Sequence, residues 1–167
     1  MKMFKINWTI TEDIDDYKLS EFNKEWISIY GGLELIINES IEGYCPKREL
    51  YPGEEWSEDI IYMLHELVKG AIQIYHNKKY EIYLLTSVRR KLILEPKDLL
   101  QITYVHSNSY EVFWKEDIDF KEFYQEVYSS AECFISYIKK HNRDLLYAKF
   151  IKEINDNMSV LKKIIKN

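Results

Sequence analysis

The sequence predicts an α+β fold. The expected architecture is a mostly antiparallel sheet of about six to seven strands with three helices, one central and two C-terminal, packed mainly on one face. Three observations lead there. The N-terminal segment alternates polar and apolar residues, a run over 60–75 has helical periodicity, and four short strand-like runs follow with tight links before two further amphipathic stretches.

From residue 2 to 12, Phe4, Ile6, Trp8 and Ile10 alternate with Lys5, Asn7, Thr9 and Thr11. Period two with one apolar face describes a half-buried strand. Residues 13–23 are acidic and read as a loop with at most a short turn of helix. A β-like run covers 26–30, and Gly31-Gly32 is expected to form a turn or bulge. A strand over 33–42 follows, with Leu33, Leu35 and Ile37 inward or the opposite set. Residues 43–56 form the longest irregular stretch, interrupted by Pro46, Pro52 and Gly53, and long loops of this kind are often functional.

Ser57 is placed as the N-cap of the first long helix, with Glu58 and Asp59 beside its positive end. Ile60, Ile61, Leu64, Leu67, Val68, Ala71, Ile72 and Tyr75 keep a 3.6-residue spacing. Gly70 interrupts this helix, which a close packing contact would explain, and Asn77 ends it. Strand-like runs at 80–87, 90–94, 99–106 and 110–115, with turns at 96–98 and 107–109, suggest an antiparallel meander. Asp119 and Glu122 have capping-box spacing ahead of a stripe from Phe120 to Ile138, within which Cys133 is expected in the core. A third helix starts near Arg143, with Asn155-Asp156-Asn157 as a possible break and a docked tail through Ile165.

No repeat, low-complexity tract or linker divides the 167 residues, so a single domain spanning 1–167 is expected. The chain opens without a secretory pattern and contains no apolar run of membrane-spanning length, which points to a cytoplasmic protein with no membrane partner. Four Arg among 23 basic residues, with abundant Lys, Ile, Asn and Tyr, suggest an AT-rich bacterial coding sequence.

The catalytic signatures fail one by one. His65-Glu66 opens like a helical zinc-protease motif, but Lys69 stands where the second imidazole must be. The four histidines have no ligand spacing, and there is no nucleophile elbow and no glycine-rich phosphate loop, so no catalytic residue, metal or cofactor is assigned. Cys45, beside Tyr44 and followed by Lys47 and Arg48, is the one candidate for a reactive thiol or a pocket residue under the 43–56 loop.

Charge is uneven. Residues 1–66 carry a balance of −9 and residues 67–167 a balance of +4. The basic clusters Lys78-Lys79 and Arg89-Arg90-Lys91, near Tyr104 and Phe113, lack any RNA-binding motif, and nucleic acid is not expected as a partner. An acidic, aromatic surface instead suits a basic protein partner. The expected contact residues are the acidic stretch 12–25 together with Glu49, Tyr51, Glu54, Glu55, Trp56, Glu58 and Asp59. The expected function is a non-catalytic protein-binding domain, in concrete form a bacterial immunity protein neutralising a toxin. The alternatives are a small-molecule or enzymatic domain and a structural homo-oligomer, for which a homodimer through the amphipathic helices is the simplest form.

Overall fold

Strand alternation at the N-terminus is realised as β1 (Phe4–Ile10), which buries Phe4 and Ile6. A computed structural model describes residues 3–22, 28–44, 58–84 and 89–166. After a four-residue helix α1 (Leu19–Phe22), β2 (Tyr30–Ile37) pairs antiparallel with β1, Phe4 opposite Ile37 and Ile10 opposite Gly31. Leu33, Leu35 and Ile37 point inward.

Gly31-Gly32 is therefore part of a regularly paired strand, not the expected turn or bulge. A Cβ on Gly31 would lie 1.8 Å from the Thr9 carbonyl oxygen, so the glycine serves a close approach of two backbones. The chain reverses instead at Asn38-Glu39, and the expected single strand 33–42 is a hairpin of β2 with β3 (Ser40–Tyr44). Asn38 makes this possible. It tolerates a left-handed φ of 54°, and its backbone N–H and side-chain oxygen both bond the backbone of Met3. Of the expected run 26–30, only Tyr30 is strand; 26 and 27 lie outside the described residues.

The two-residue strand β4 (Glu58–Asp59) pairs with β2 at Tyr30 and Gly31 and completes a four-stranded antiparallel sheet. Helix α2 (Ile60–Tyr75) starts directly from it. Ser57 lies outside the described residues, and the N-cap is Asp59, whose Oδ1 accepts the Tyr62 N–H at 3.1 Å. Asp59 stands directly before the helix, the position from which a side-chain oxygen reaches the orphan amides of the first turn. The expected apolar stripe is buried up to Ala71, but Tyr75 in the last turn is 44% exposed. Gly70 is a close contact as expected: a Cβ there would meet Leu94 Cδ1 at 3.0 Å and Tyr80 Cδ1 at 3.1 Å.

The second sheet is a meander in chain order, β5 (Tyr80–Leu84), β6 (Arg90–Pro96), β7 (Leu100–His106) and β8 (Val112–Ile118), antiparallel throughout. The eight strands thus divide into two four-stranded sheets. Local spacing identifies strands but not which of them share hydrogen bonds. Asp119 caps α3 (Phe120–His141) by accepting from Lys121 N and Glu122 N. Cys133, expected in the core, is exposed, because it sits one step beyond the buried stripe of Phe123, Val127, Ala131 and Phe134. A 3₁₀ turn at Arg143–Tyr147 leads into α4 (Lys149–Lys166). The helix does not break at Asn155–Asn157. Lys152 bonds Asp156 at 2.5 Å across one turn, and Ile151, Ile154, Leu161 and Ile164 stay buried along one face.

The helices form the layer that joins the two sheets. Helix α2 packs on β2 and β4 of the first sheet and on β5 and β6 of the second, α3 lies on β1, and all three long helices pack on one another. Asn38 Nδ2 and Ser40 Oγ also donate to the Glu116 carboxylate at 2.8 and 3.0 Å, tying the β2–β3 turn to β8. No helix of the described residues is long and apolar enough to cross a membrane.

Candidate functional site

Residues 11–22 carry five carboxylates and one lysine, yet the segment is firmly held. Ile14 is fully buried and serves as its anchor. Asn142, just beyond α3, donates through Nδ2 to the carbonyls of Ile14 (2.9 Å) and Tyr17 (2.8 Å). His141 Nδ1 lies 3.0 Å from Asp15 Oδ1, and Asp13 Oδ1 accepts the Asp15 N–H. The Tyr17 hydroxyl donates to Glu12 Oε2 at 3.0 Å. Burial, then that bond and the nearby charges of Glu12, Glu21 and Asp13, push the Tyr17 phenol up to about 12. With the backbone fixed in this way, Asp13, Asp15, Asp16 and Glu21 project into solvent.

Thr11 and Glu12 on one side and Asp59 on the other meet at Tyr30. On one side its carbonyl accepts the Thr11 N–H (3.3 Å) and its N–H donates to Glu12 Oε2 (3.1 Å). On the other side it is the register partner of Asp59. The Tyr30 side chain is 42% exposed between them. The first strand of the chain, β1, delivers the 11–22 loop to one edge of this point, and the start of α2 delivers Glu58 to the other. Lys139, Lys140 and Arg143 are exposed and flank His141 and Asn142 along the chain at the C-terminal end of α3.

Asp59 itself drops out of the expected contact set. It is 3% exposed, and its two oxygens are engaged by the Tyr62 N–H and by the Ser28 hydroxyl at 2.6 Å. A helix-capping carboxylate between strand and helix cannot also face a partner. Glu58 is half-buried. Glu49, Tyr51, Glu54, Glu55, Trp56 and Cys45 lie outside the described residues, and Tyr44 is placed only as the end of β3, opposite Leu33.

Two polar clusters were not legible in the sequence. On α2, His65 is 5% exposed, with Nε2 2.5 Å from Glu153 of α4 and Nδ1 3.3 Å from Glu66. Glu66 also accepts from the Tyr80 hydroxyl at 2.8 Å and from Lys69. Burial opposes ionisation of Glu66, but the bonds from His65 and Tyr80 and the Lys69 charge outweigh it and hold this carboxyl below its usual range. The cluster ties α2 to α4 and β5.

The second cluster surrounds Lys91, which read as part of a basic surface run but is fully buried. Its ammonium donates to Glu81 Oε2 at 2.7 Å and lies 4.2 Å from the Tyr110 ring and 5.4 Å from the Tyr83 ring. Its neighbour Arg90 stacks 3.8 Å over Phe113, and Tyr104 stacks on Trp114. The strand register creates the cluster: Tyr83 is the cross-strand partner of Lys91, with Glu81 on the same face two residues away. Among the described residues, no group of three or more histidine, cysteine, aspartate or glutamate side chains is arranged to hold a metal ion.

Compared with known proteins, the chain matches no family model, no curated protein and no solved structure.

Proposed function

We propose that this chain is a non-catalytic protein-binding module that receives a basic partner on the carboxylate surface around Tyr30. The observation that carries this reading is the convergence of the pinned 11–22 segment and the start of α2 on one half-exposed tyrosine. Rigid carboxylates raise the encounter rate with a cationic surface, and a fixed loop loses little entropy on binding. A central aromatic ring supplies the apolar anchor that charges alone lack. A basic, nucleic-acid-handling toxin, covered by this chain acting as its immunity protein, is a concrete partner class of this chemistry.

The test uses the tagged chain as bait in host lysate, in parallel with a variant carrying Asp16→Lys and Glu21→Lys. Both side chains are exposed and neither ties the segment to α3 or to Tyr30, so the fold should persist. One stoichiometric basic protein, recovered by the wild type, released by moderate salt and absent with the variant, supports the reading. Equal recovery of the same proteins by both baits, or recovery of none by either, refutes it.

A further inference from the structure

We infer that a cavity between the N-terminal strand and helices α3 and α4, remote from the acidic surface, is a binding site for an amino-acid-like zwitterion with an apolar side chain. The cavity measures about 660 Å³, within the usual range for small-molecule sites of roughly 300–1,000 Å³. Its floor is apolar, made by Phe4 of β1 and Ile165 of α4. Its walls are charged with opposite signs. Glu122 and Glu126, one helical turn apart on α3, form one wall, and Lys162 and Lys166, one turn apart on α4, form the other.

These charges do not neutralise one another. Among the described residues, neither lysine lies within 4.0 Å of either carboxylate, and neither lysine has an ion pair elsewhere. Glu126 Oε1 is held in place by the Ile6 N–H at 2.8 Å, so this wall is rigid. Glu122 Oε2 is shielded and has no hydrogen-bond partner, so a donor that reached it would relieve the cost of an orphaned acceptor. Opposite walls that face one cavity without meeting are complementary to a molecule that carries both charges at a fixed separation. The ammonium group goes to α3, the carboxylate to α4 and the apolar side chain to Phe4 and Ile165. A simple anion would be repelled by the first wall and a simple cation by the second. The volume accommodates a free amino acid or a dipeptide.

Isothermal titration of the intact protein with leucine, phenylalanine and leucyl-leucine tests this, alongside the N-acetylated and C-amidated forms of each. Binding by at least one zwitterion, weakened tenfold or more by blocking either end, is expected. Lys162→Glu should weaken it by a similar factor, while Lys163→Glu, on the same helix but outside the cavity lining, should leave it unchanged. Absence of binding by every zwitterion up to about 10 mM, equal binding of the blocked forms, or equal effects of the two lysine variants would overturn the assignment.

Discussion

The Lys91–Glu81 pair offers a sharp test of how the second sheet is held together. Lys91 has no exposed surface, whereas Glu81 keeps 30% of its side chain in contact with water. The two residues should therefore respond differently to removal. Glu81→Ala leaves a buried ammonium group beside the Tyr110 and Tyr83 rings, and stripping one partner from a buried pair costs about 3–5 kcal/mol. Cation–π attraction to Tyr110 and Tyr83 offsets about 1 kcal/mol of that, and water can enter where Glu81 stood, so a loss of about 2–3 kcal/mol is expected. Lys91→Met removes the buried charge and keeps most of the volume, and the thioether packs well on both rings. Its former partner is left at the surface, 3.5 Å from Lys79, so the loss should stay below about 1 kcal/mol. Urea unfolding followed by circular dichroism at neutral pH measures both.

The pH dependence of the same pair has a definite sign. The hydrogen bond from Lys91 is the main cause that holds the Glu81 carboxyl below its usual range. A carboxylate lowered in this way stabilises the fold above its unfolded pKa of about 4.3, and the contribution is lost as pH falls through the lower folded value. The gap between wild type and Glu81→Ala should therefore be steady at neutral pH and narrow in acid. Burial opposes the charge on Lys91, but the bonds it donates to Glu81 and Tyr110 win and raise its pKa, so on the alkaline side its contribution persists to about pH 10.4 and is lost above that. Equal destabilisation by Glu81→Ala and Lys91→Met, or a loss under 0.5 kcal/mol for Glu81→Ala, would refute the burial argument.

Three further outcomes are expected. Gly31→Ala should abolish or severely impair folding, losing more than about 3 kcal/mol, because its methyl group would overlap the Thr9 carbonyl in a paired strand; thermal melting reads this directly. Asp59→Ala should cost about 1–2 kcal/mol in denaturant unfolding through the lost cap on Tyr62 N and the lost Ser28 bond, with no change in partner binding if its carboxylate is purely structural. Asn142→Ala should leave overall unfolding within about 2 kcal/mol of wild type but speed amide exchange across residues 13–17, since it removes the side chain that bonds the Ile14 and Tyr17 carbonyls.

Much of the fold was legible because it is encoded locally. The apolar stripe of α2, the four strands of the meander and the Asp119 cap all follow from residues within a few positions of one another. What was misread depends on contacts distant in sequence. Gly31 resembles a turn residue until Thr9 is placed against it, and Asn38 makes the turn because Met3, 35 positions away, accepts and donates there. Ser57 and Asp59 are both good caps by composition, and only the pairing of Asp59 with Tyr30 decides between them. Lys91 looked like a surface charge because the glutamate that neutralises it comes from the preceding strand. The same holds for the candidate surface. Its acidity was visible in composition, but the meeting of residues 11–12, 30 and 58–59 is a product of strand order.

Carboxylate footprinting of the chain, free and bound to the basic protein it captures, tests the proposed surface most directly. Carbodiimide labelling reports each exposed Asp and Glu separately. Protection of Asp13, Asp15, Asp16 and Glu21 on binding, with Glu95 and Asp98 of the second sheet unchanged, is the expected result. Unchanged labelling of residues 13–21 in a saturated complex, with protection elsewhere, would place the interface on another face and contradict the proposed function.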